Sequence, residues 1–339
     1  MLGRRIKLYR LKYGWSKKEL AEKLGISLTM LSSFETDKKT PDGQTIQSLA
    51  SAFGITLPQF LSLIQSNVKY RHGSFRKQTS LSKSAQSYLH MLSEDSLNKF
   101  FLLEELLGSD VLREPPALHS LIVSGSPEAD ALRLRELLGF RQSGAVSNLI
   151  DVLENKGILI CKIHYKGTNF SGINGMADRY PYIAFNSETT PERQRSTIVH
   201  ELVHVFFEPP EHEKYIEAVC GAFLFPAADA YIELGRKRRT ISPDMVIVAR
   251  EYGISLQLLA KRANQLEIIT TDAYRSFNIA INKAKVKISE GYRIAPEEPK
   301  LLEQLVLRAL DEDKISMSRA AELLDIPYHI VREKAALWN

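Results

Sequence analysis

The sequence predicts a multidomain protein in which an all-α domain is followed by a mainly helical α+β domain and a helical C-terminal region. Three observations lead to this fold class. The first 64 residues contain short amphipathic segments separated by glycine turns, which are typical of packed helices. Two apolar segments, residues 158–163 and 182–186, have the composition of strands. With 339 residues, the chain is longer than a typical single domain.

Composition and cysteine usage limit the functional classes. Hydrophobic residues make up 44% of the chain and charged residues 25%, as in a soluble globular protein. No run approaches the roughly 18 apolar residues of a membrane span, and the basic N-terminus lacks the apolar segment of a signal peptide. The two cysteines, Cys161 and Cys220, form no disulfide framework. We therefore expect a cytoplasmic protein with no membrane partner.

Positive charge is concentrated at the N-terminal end of the chain. Residues 1–64 hold ten Lys and Arg against five Asp and Glu, and residues 65–90 hold five Lys and Arg without an acid. Because the net charge of the whole chain is +5, the remaining residues carry a net charge of −5. A basic first quarter on an acidic body indicates a nucleic-acid-binding domain joined to a domain of another kind.

The first 64 residues carry the local signals of a five-helix domain. Ser16 and Glu19 form a capping box, a Ser N-cap with Glu three residues later, at the start of the second helix. Gly25 suits the left-handed conformation that ends this helix, and Ser27 caps the third one. Two short helices joined by a tight glycine turn form a helix-turn-helix. The predicted helices span residues 3–13, 17–24, 28–35, 45–53 and 57–64.

This segment resembles the Cro/C1-type (XRE) helix-turn-helix domain of phage repressors at residues 16–27, 34–35, 41 and 49–50. The predicted domain covers residues 1–66. The resemblance implies that DNA is a partner and that the recognition helix runs from Ser27 to Phe34. The residues that it places at the DNA are Lys17, Ser27, Leu28, Thr29, Ser32 and Ser33.

Two positions depart from the usual pattern of this family. Lys17 stands where Gln is common, and lysine favours a phosphate contact over a base contact. Leu28 stands where a longer polar residue is common. The recognition helix therefore offers few side chains for bidentate base contacts. The alternative interpretation is a five-helix protein-interaction domain that does not bind DNA.

A basic linker and a helix are predicted over residues 67–115. Residues 69–90 are basic and rich in Ser and Gln. We interpret them as a solvated linker, with an arm that follows the DNA backbone as the alternative. Further along, the sequence pattern predicts helices over 89–107, 127–138 and 144–154, strands over 158–163 and 182–186, and a turn over 170–175.

The most informative segment is the HELVH pattern that begins at His200. Thr190 is a suitable N-cap and Pro191 a suitable first residue for the helix that contains it. In that helix, His200 and His204 lie one turn apart on one face, so both imidazoles can bind one zinc ion at roughly 2.0–2.1 Å. Glu201 is then placed to act as the general base. The alternative is a buried helix with two hydrogen-bonded histidines.

A catalytic zinc ion needs a third protein ligand and an open position for water. Pro209 and Pro210 break the HELVH helix, and a second helix begins near residue 211. Its spacing alone does not select the ligand, because two of its acidic residues share a face one turn apart. Cys220 is on the same face, but its apolar neighbours indicate core packing. The candidate ligands are Glu211, His212, Glu213 and Glu217.

The chain after the helix-turn-helix segment resembles the ImmA/IrrE-type zinc metallopeptidases. The similarity lies in residues 191–195, in the HELVH pattern and in a Glu-x12-Pro element that ends at Pro226. It extends over most of residues 70–339 and implies a zincin-like metallopeptidase domain over residues 116–270. The implied activity is that of a gluzincin-like zinc metalloendopeptidase.

The resemblance also selects among the candidate ligands. Counting back from Pro226 gives Glu213, which is implied to bind zinc together with His200 and His204. Glu217 stands where the family usually has Asn, so this residue could replace or supplement Glu213 at the metal. Val203, another departure, stands where Gly is common.

The C-terminal region, residues 271–339, is predicted to be helical. Residues 315–338 contain a segment similar to residues 21–27. Because such helix–turn–helix spacing is common in structural bundles, we expect a structural bundle, with a second helix-turn-helix as the alternative. The basic cluster at residues 236–239 is interpreted as a solvated loop, with contact to an acidic partner or to DNA as the alternative.

Two hypotheses for function follow from these patterns. In the first, the chain is a zinc endopeptidase fused to a DNA-binding domain, and it cuts a regulatory protein such as a repressor or antitoxin. Glu201 takes a proton from the zinc-bound water and passes it to the leaving amine. In the second, the chain is a DNA-binding transcription regulator whose metal site is a sensor or scaffold without peptidase turnover. The expected partners are DNA, the protein substrate and a second copy of the chain in a homodimer.

Overall fold

The structure is a computed structural model that describes residues 2–61, 67–73, 81–167, 169–207, 213–284 and 294–336. It confirms the predicted fold class, with a small sheet embedded in a mainly helical chain. In chain order the elements are α1 (Leu2–Lys12), α2 (Lys17–Leu24), α3 (Leu28–Glu35), α4 (Gly43–Ala52), α5 (Leu57–Leu61), β1 (Tyr70–His72), α6 (Lys83–Leu107), α7 (Pro127–Leu138), α8 (Leu149–Asn155), β2 (Leu159–Ile163), β3 (Gly172–Ala177), β4 (Tyr180–Asn186), α9 (Pro191–Phe206), α10 (Glu213–Leu224), α11 (Ala227–Leu234), α12 (Pro243–Glu251), α13 (Leu256–Gln265), α14 (Thr271–Ala284), α15 (Leu301–Asp311), α16 (Met317–Leu324) and α17 (Tyr328–Ala336).

The chain divides into two compact units, and neither of them is one continuous stretch of sequence. The first unit comprises Met1–Val68, Gln78–Val111 and Leu301–Asn339. The second comprises Lys69–Lys77 and Leu112–Lys300. The first unit therefore contains α1–α6 and α15–α17, and the second contains the sheet and α7–α14.

In the first unit, α1–α5 form the predicted helix-turn-helix domain. The Ser16 hydroxyl accepts a hydrogen bond from Glu19 N at 3.2 Å, and the Glu19 carboxylate accepts one from Ser16 N at 2.6 Å. Gly25 ends α2 with φ 64°, a conformation that glycine adopts without strain. These contacts set the turn between α2 and α3, which pack on each other. The core is formed by Ile6, Leu20, Ala21, Leu31, Phe34, Leu49, Ala50, Phe53 and Phe60.

The interpretation of residues 69–90 as a solvated linker is wrong in its described parts. Strand β1 lies at their start and pairs with β3. Ser82 caps α6, which begins at Lys83 instead of near residue 89, because the Ser82 hydroxyl accepts a hydrogen bond from Ala85 N at 3.2 Å. Residues 74–80 are outside the described part of the chain.

The sheet of the second unit has the strand order β1-β3-β4-β2. Neighbouring strands β1, β3 and β4 are antiparallel, whereas β2 and β4 are parallel. The predicted turn over residues 170–175 is wrong, because residues 172–175 begin strand β3. Glycine has low strand propensity, but a Cβ at Gly172 would lie 2.5 Å from Thr197 Cγ2. The absence of that side chain allows α9 to pack closely on β3.

The helix predicted over residues 144–154 forms only from Leu149 onward. The residues just before Leu149 are irregular, because their carbonyl groups accept hydrogen bonds from buried arginines. Gly144 O accepts hydrogen bonds from Arg135 at 3.2 Å, and Val146 O accepts one from Arg195 at 2.5 Å. Gly144 N donates to Asp229 at 2.7 Å. These tertiary contacts replace the helical hydrogen bonds that the local pattern predicts.

Residues 294–300 form an extended segment that lies against α8 and α9. Glu297 accepts a hydrogen bond from Ile150 N at 2.9 Å, which satisfies a backbone donor in the first turn of α8, and it also pairs with Arg195. Lys300 N donates to Glu154 at 2.9 Å. The segment therefore contacts the N-terminal half of α9, the helix that carries the HELVH pattern, and helps to hold it in place.

Within the described residues, no single helix is long and apolar enough to cross a membrane. One bent pair of helices, Glu213–Leu224 with Ala227–Leu234, meets the length and composition criteria together.

Candidate metal centre

Helix α9 places the two histidines of the HELVH pattern on one face. Its N-cap is Thr190, whose hydroxyl accepts a hydrogen bond from Arg193 N at 3.4 Å, and Pro191 is its first residue, as predicted. His200 is buried, with 2% of its surface exposed, and His204 is half-buried. Their Nε2 atoms lie 3.3 Å apart. The helix thus directs two imidazole nitrogens toward one point.

Glu213 brings a carboxylate to the same point. It is the first residue of α10, a helix that packs on α9. Its Oε1 atom lies 3.5 Å from His200 Nε2. One ligand atom each from His200, His204 and Glu213 can be chosen so that all lie within 4.8 Å of one another. Of the earlier candidates, Glu211 and His212 are outside the described residues.

The spacing of these atoms fits a zinc ion. Ligands at about 2.05 Å from one zinc ion in tetrahedral directions lie about 3.3 Å from each other. The separations of 3.3 Å between the two histidine nitrogens and 3.5 Å between His200 Nε2 and Glu213 Oε1 are close to that value. Two imidazoles and one carboxylate are also a donor set that zinc binds in proteins. The three residues are therefore suited to hold a zinc ion.

Glu217 has a different partner. Its carboxylate forms an ion pair with Lys261 of α13, and its side chain is partly exposed. The cluster of ligand atoms includes Glu213 and does not include Glu217 among the described residues. Spacing in the sequence left these two glutamates equivalent, and Lys261, which no local pattern connects to Glu217, separates them in the structure.

Glu201, the predicted general base, follows His200 within helix α9 and is 5% exposed. Its Oε2 atom accepts a hydrogen bond from Asn174 Nδ2 at 2.7 Å. Asn174 lies on β3, two residues after Gly172, where the absence of a side chain allows close packing of α9. Asn174 is absent from the predicted site residues, because the sequence pattern predicted a turn where β3 forms. An asparagine in a glycine-rich segment upstream of the HELVH pattern was the only available signal.

Three tyrosines near the HELVH segment in sequence, Tyr180, Tyr182 and Tyr215, form hydrogen bonds with residues outside the cluster of possible metal ligands. Tyr182 Oη lies 2.5 Å from His72 Nδ1 of β1. Tyr215 donates to Asp130 at 2.6 Å, and burial, followed by this hydrogen bond, raises the pKa of Tyr215 to about 12. The Tyr180 hydroxyl accepts a hydrogen bond from Arg179 at 2.7 Å.

Buried arginines hold the far end of α10. Arg135 is 1% exposed and donates from Nε to Phe223 O at 2.7 Å, and burial lowers its pKa to about 10. Arg262 donates to Phe225 O at 2.9 Å and pairs with Glu128. Both cations lie where the last carbonyl groups of a helix lack partners, and they favour the negative end of the helix dipole. They fix the helix whose first residue is Glu213.

The residues predicted to contact DNA lie on or next to α2 and α3. Some of their side chains form hydrogen bonds within the domain. Leu28 is 51% exposed and Thr29 is also exposed. Ser27 Oγ accepts a hydrogen bond from Met30 N at 3.1 Å as the N-cap of α3. Ser33 Oγ donates to Thr29 O at 2.9 Å.

Lys17 lies beside α3. Its Nζ atom is 3.4 Å from Ser32 Oγ and 3.6 Å from the Glu35 carboxylate. Glu35 is buried and also pairs with Arg10. The exposed side chains at the start of α3 are therefore short or apolar, in agreement with the small capacity for base contacts expected from the sequence.

The chain thus contains two classes of domain, a helix-turn-helix domain and a domain in which two histidines and a glutamate cluster beside a small sheet. Comparison with known families agrees with both. Residues 6–60 match the helix-turn-helix family model. Residues 153–264 match the M78 peptidase model, described as the IrrE N-terminal-like domain. The resemblance stated from the sequence is thus confirmed for both domains.

Two curated relatives match the N-terminal part of the chain. The HTH-type transcriptional regulator ImmR of Bacillus subtilis is 38% identical over 60 residues, which are 18% of this chain and 47% of the relative. The HTH-type transcriptional regulator SinR of Bacillus licheniformis is 36% identical over 63 residues, 18% of this chain and 57% of the relative. The chain thus spans about half the length of the curated relatives it matches. No solved structure matches the chain.

Proposed function

We propose that the chain is a zinc-dependent endopeptidase joined to a DNA-binding regulatory domain. The observation that carries this proposal is the cluster of His200, His204 and Glu213, whose spacing fits one zinc ion and which flanks a buried glutamate. The match to the M78 peptidase model over residues 153–264 supports the same conclusion. The helix-turn-helix domain supports binding to DNA.

The residues of the chain have separate roles in this mechanism. A bound zinc ion supplies Lewis acidity to a water molecule and to the scissile carbonyl. His200 and His204 act as ligands in their neutral form, with a ring nitrogen lone pair directed to the cluster. Glu201 accepts a proton from the attacking water and delivers it to the leaving amine. Asn174 fixes the orientation of the Glu201 carboxylate through Oε2.

The substrate that we propose is a regulatory protein, a repressor or antitoxin, cut at a limited site. The similarity of the N-terminal domain to two transcriptional regulators supports a role in transcription or in a stress or phage response. Cytoplasmic location and a homodimer belong to the same proposal. The two cysteines, Cys161 and Cys220, are buried and are not joined in a disulfide.

A second candidate function is a DNA-binding transcription regulator whose metal site is a sensor or scaffold without peptidase turnover. The similarity to ImmR and SinR, both regulators, favours it. The ion pair between Glu217 and Lys261 counts against the closed form of this site, in which a second carboxylate would complete the zinc shell.

The decisive experiment compares the wild-type chain with Glu201→Gln. Each is expressed beside the proteins encoded next to it, zinc content is measured by mass spectrometry, and new N-termini are identified in the mixture. We expect both chains to hold about one zinc ion and only the wild type to cut a partner. Undiminished cleavage by Glu201→Gln would overturn the mechanism, and absence of any cleavage by the wild type would favour the sensor or scaffold.

DNA binding is tested separately from cleavage. The apparent affinity of the full chain for double-stranded DNA is measured at several salt concentrations. We expect it to fall by orders of magnitude between about 50 and 200 mM salt, because phosphate contacts release counterions. Absence of binding at the lowest salt would refute a DNA-binding role for the basic N-terminal quarter.

A further inference from the structure

Helices α15, α16 and α17 repeat the architecture of α1, α2 and α3, about 300 residues further along the chain. Helix α2 spans Lys17–Leu24 and α16 spans Met317–Leu324. Helix α3 begins at Leu28 and α17 begins at Tyr328. The preceding helices, α1 and α15, have 11 residues each. The two three-helix groups thus agree in the lengths of their first two helices and in the length of the turn.

The agreement extends to the hydrogen bonds that define the turn. Ser316 Oγ caps α16 by accepting from Arg319 N at 3.2 Å, as Ser16 Oγ does from Glu19 N. The residue after α16, Asp325, has φ 53°, and Gly25 has φ 64°. Ile326 N donates to Ala321 O at 3.1 Å, and Ile26 N donates to Ala21 O at 3.0 Å.

The buried positions agree as well. Ala320, Ala321 and Val331 are buried, as are their counterparts Leu20, Ala21 and Leu31. Both groups pack through their first helix on the long helix α6, α1 at one place and α15 at another. Residues 301–336 therefore form a second helix-turn-helix fold, which is more than the structural bundle that the sequence favoured.

The outward face of α17 carries larger polar side chains than the corresponding face of α3. Tyr328 is 50% exposed and occupies the position of Leu28. His329 and Arg332 are exposed and occupy the positions of Thr29 and Ser32. Arginine in the major groove can bind guanine with two hydrogen bonds, whereas serine and leucine cannot. The side chains that α3 lacks for reading bases are thus present on α17.

The two helix-turn-helix groups differ in the charge of the segment that precedes each of them. Residues 16–36 and residues 316–336 each hold three Lys and Arg and three Asp and Glu. Helix α15 and the following turn, residues 301–315, hold four acids and two basic residues. By contrast, residues 1–15 hold five basic residues and no acid. Basic side chains for contacts with DNA phosphates are therefore available mainly in the N-terminal helix-turn-helix domain.

We propose that residues 316–336 are a second DNA-reading helix-turn-helix, in which Tyr328, His329 and Arg332 of α17 contact base edges. In this arrangement the basic N-terminal quarter supplies most of the affinity through phosphates, and α17 supplies much of the sequence preference. The inference goes beyond the proposed function, because it assigns a DNA site to the C-terminal region, and it is independent of peptidase activity.

The test uses the full chain and a pool of random double-stranded DNA. The wild type is used to select preferred sequences, and its affinity for the best sequence is compared with its affinity for a shuffled one. The same measurements are made for Arg332→Ala, for Tyr328→Ala and for the control Arg308→Ala. Arg308 is a matched control because it is an exposed arginine of α15 and forms an ion pair with Glu312, four residues further along the chain. Circular dichroism and thermal melting verify that the variants are folded.

We expect Arg332→Ala to lose the preference at one or more selected positions and to lower the ratio of specific to shuffled affinity by about tenfold. Its affinity for shuffled DNA should stay within about twofold of the wild type, and Arg308→Ala should keep the selected sequence. The same selected sequence and an unchanged ratio in both Arg332→Ala and Tyr328→Ala would overturn the inference while leaving the N-terminal domain as the DNA-binding unit. No binding of the wild type to any DNA would overturn both.

Discussion

The proposed third metal ligand, Glu213, can be tested by comparison with a neighbouring glutamate on the same helix. Glu213 faces His200 at 3.5 Å, and Glu217, one turn further along α10, is paired with Lys261. Replacing either by Gln changes the same charge on the same helix at nearly unchanged volume. Only the first replacement should weaken zinc binding, so the two variants are matched controls for each other.

The expected size of the effect follows from linkage between binding and unfolding. At a free zinc concentration of about 100 times its Kd, zinc stabilises the wild type by about 2.7 kcal/mol. Loss of partners outside the metal shell typically weakens metal affinity 10- to 100-fold, so we take about 100-fold for a direct ligand. At the same free zinc, Glu213→Gln then retains about 0.4 kcal/mol of stabilisation. The difference, about 2.3 kcal/mol, corresponds to about 5–9 °C in the melting temperature of a unit of this size.

Glu217→Gln should behave differently, because it removes a partly exposed ion pair. The side chains of Lys261 and Glu217 are 41% and 37% exposed, and such pairs contribute about 0–1 kcal/mol. The assay is thermal melting of each purified chain with and without zinc, together with a competitive zinc titration. A zinc-dependent shift that is kept in Glu213→Gln and lost in Glu217→Gln would refute the ligand assignment.

Three further predictions concern Asn174, Gly172 and Tyr215. Asn174→Ala should lower cleavage without changing zinc content, because Glu201 loses a hydrogen bond at 2.7 Å and the metal ligands are untouched; reduced zinc content would contradict this. Gly172→Val should destabilise the second unit by about 1–3 kcal/mol in denaturant unfolding, because its side chain would collide with α9, and Gly43→Val, with open space at its Cβ, is the control. Tyr215, with a pKa of about 12 in the folded chain against 10.0 normally, contributes stability below pH 10 that is lost as pH rises toward 12. The stability of Tyr215→Phe should therefore fall less than that of the wild type between about pH 9 and about pH 11.5, and equal losses would contradict the assignment.

The sequence predicts best where the determining interactions are local. The capping box at Ser16 and the stop at Gly25 involve residues within a few positions of each other, and α2 has the predicted bounds. The same is true of α9, whose N-cap and first proline are adjacent in sequence. The distance between His200 and His204 follows from helix geometry alone.

The features that sequence reasoning missed depend on partners far along the chain. Strand β3 forms despite its glycines because β1 and β4 pair with both of its edges. The irregular residues before α8 depend on Arg135 and Arg195, whose side chains arrive from other helices. Asn174 is recognisable as a site residue only once β3 lies against α9. The spacing of apolar residues along the chain carries no information about such pairings, because it depends only on residues that are close in sequence.

The position of β1 has a practical consequence for work with isolated parts of the protein. Residues 70–72 cover the outer edge of β3, and Gly73 N donates to Asn174 O at 2.8 Å beyond the end of the strand. A fragment that begins at Leu112 would contain the three proposed metal ligands but would leave this edge with open backbone donors and acceptors. Unpaired edges of this kind associate with strands of other molecules. Such a fragment should precipitate or self-associate unless the peptide around Tyr70 is supplied with it.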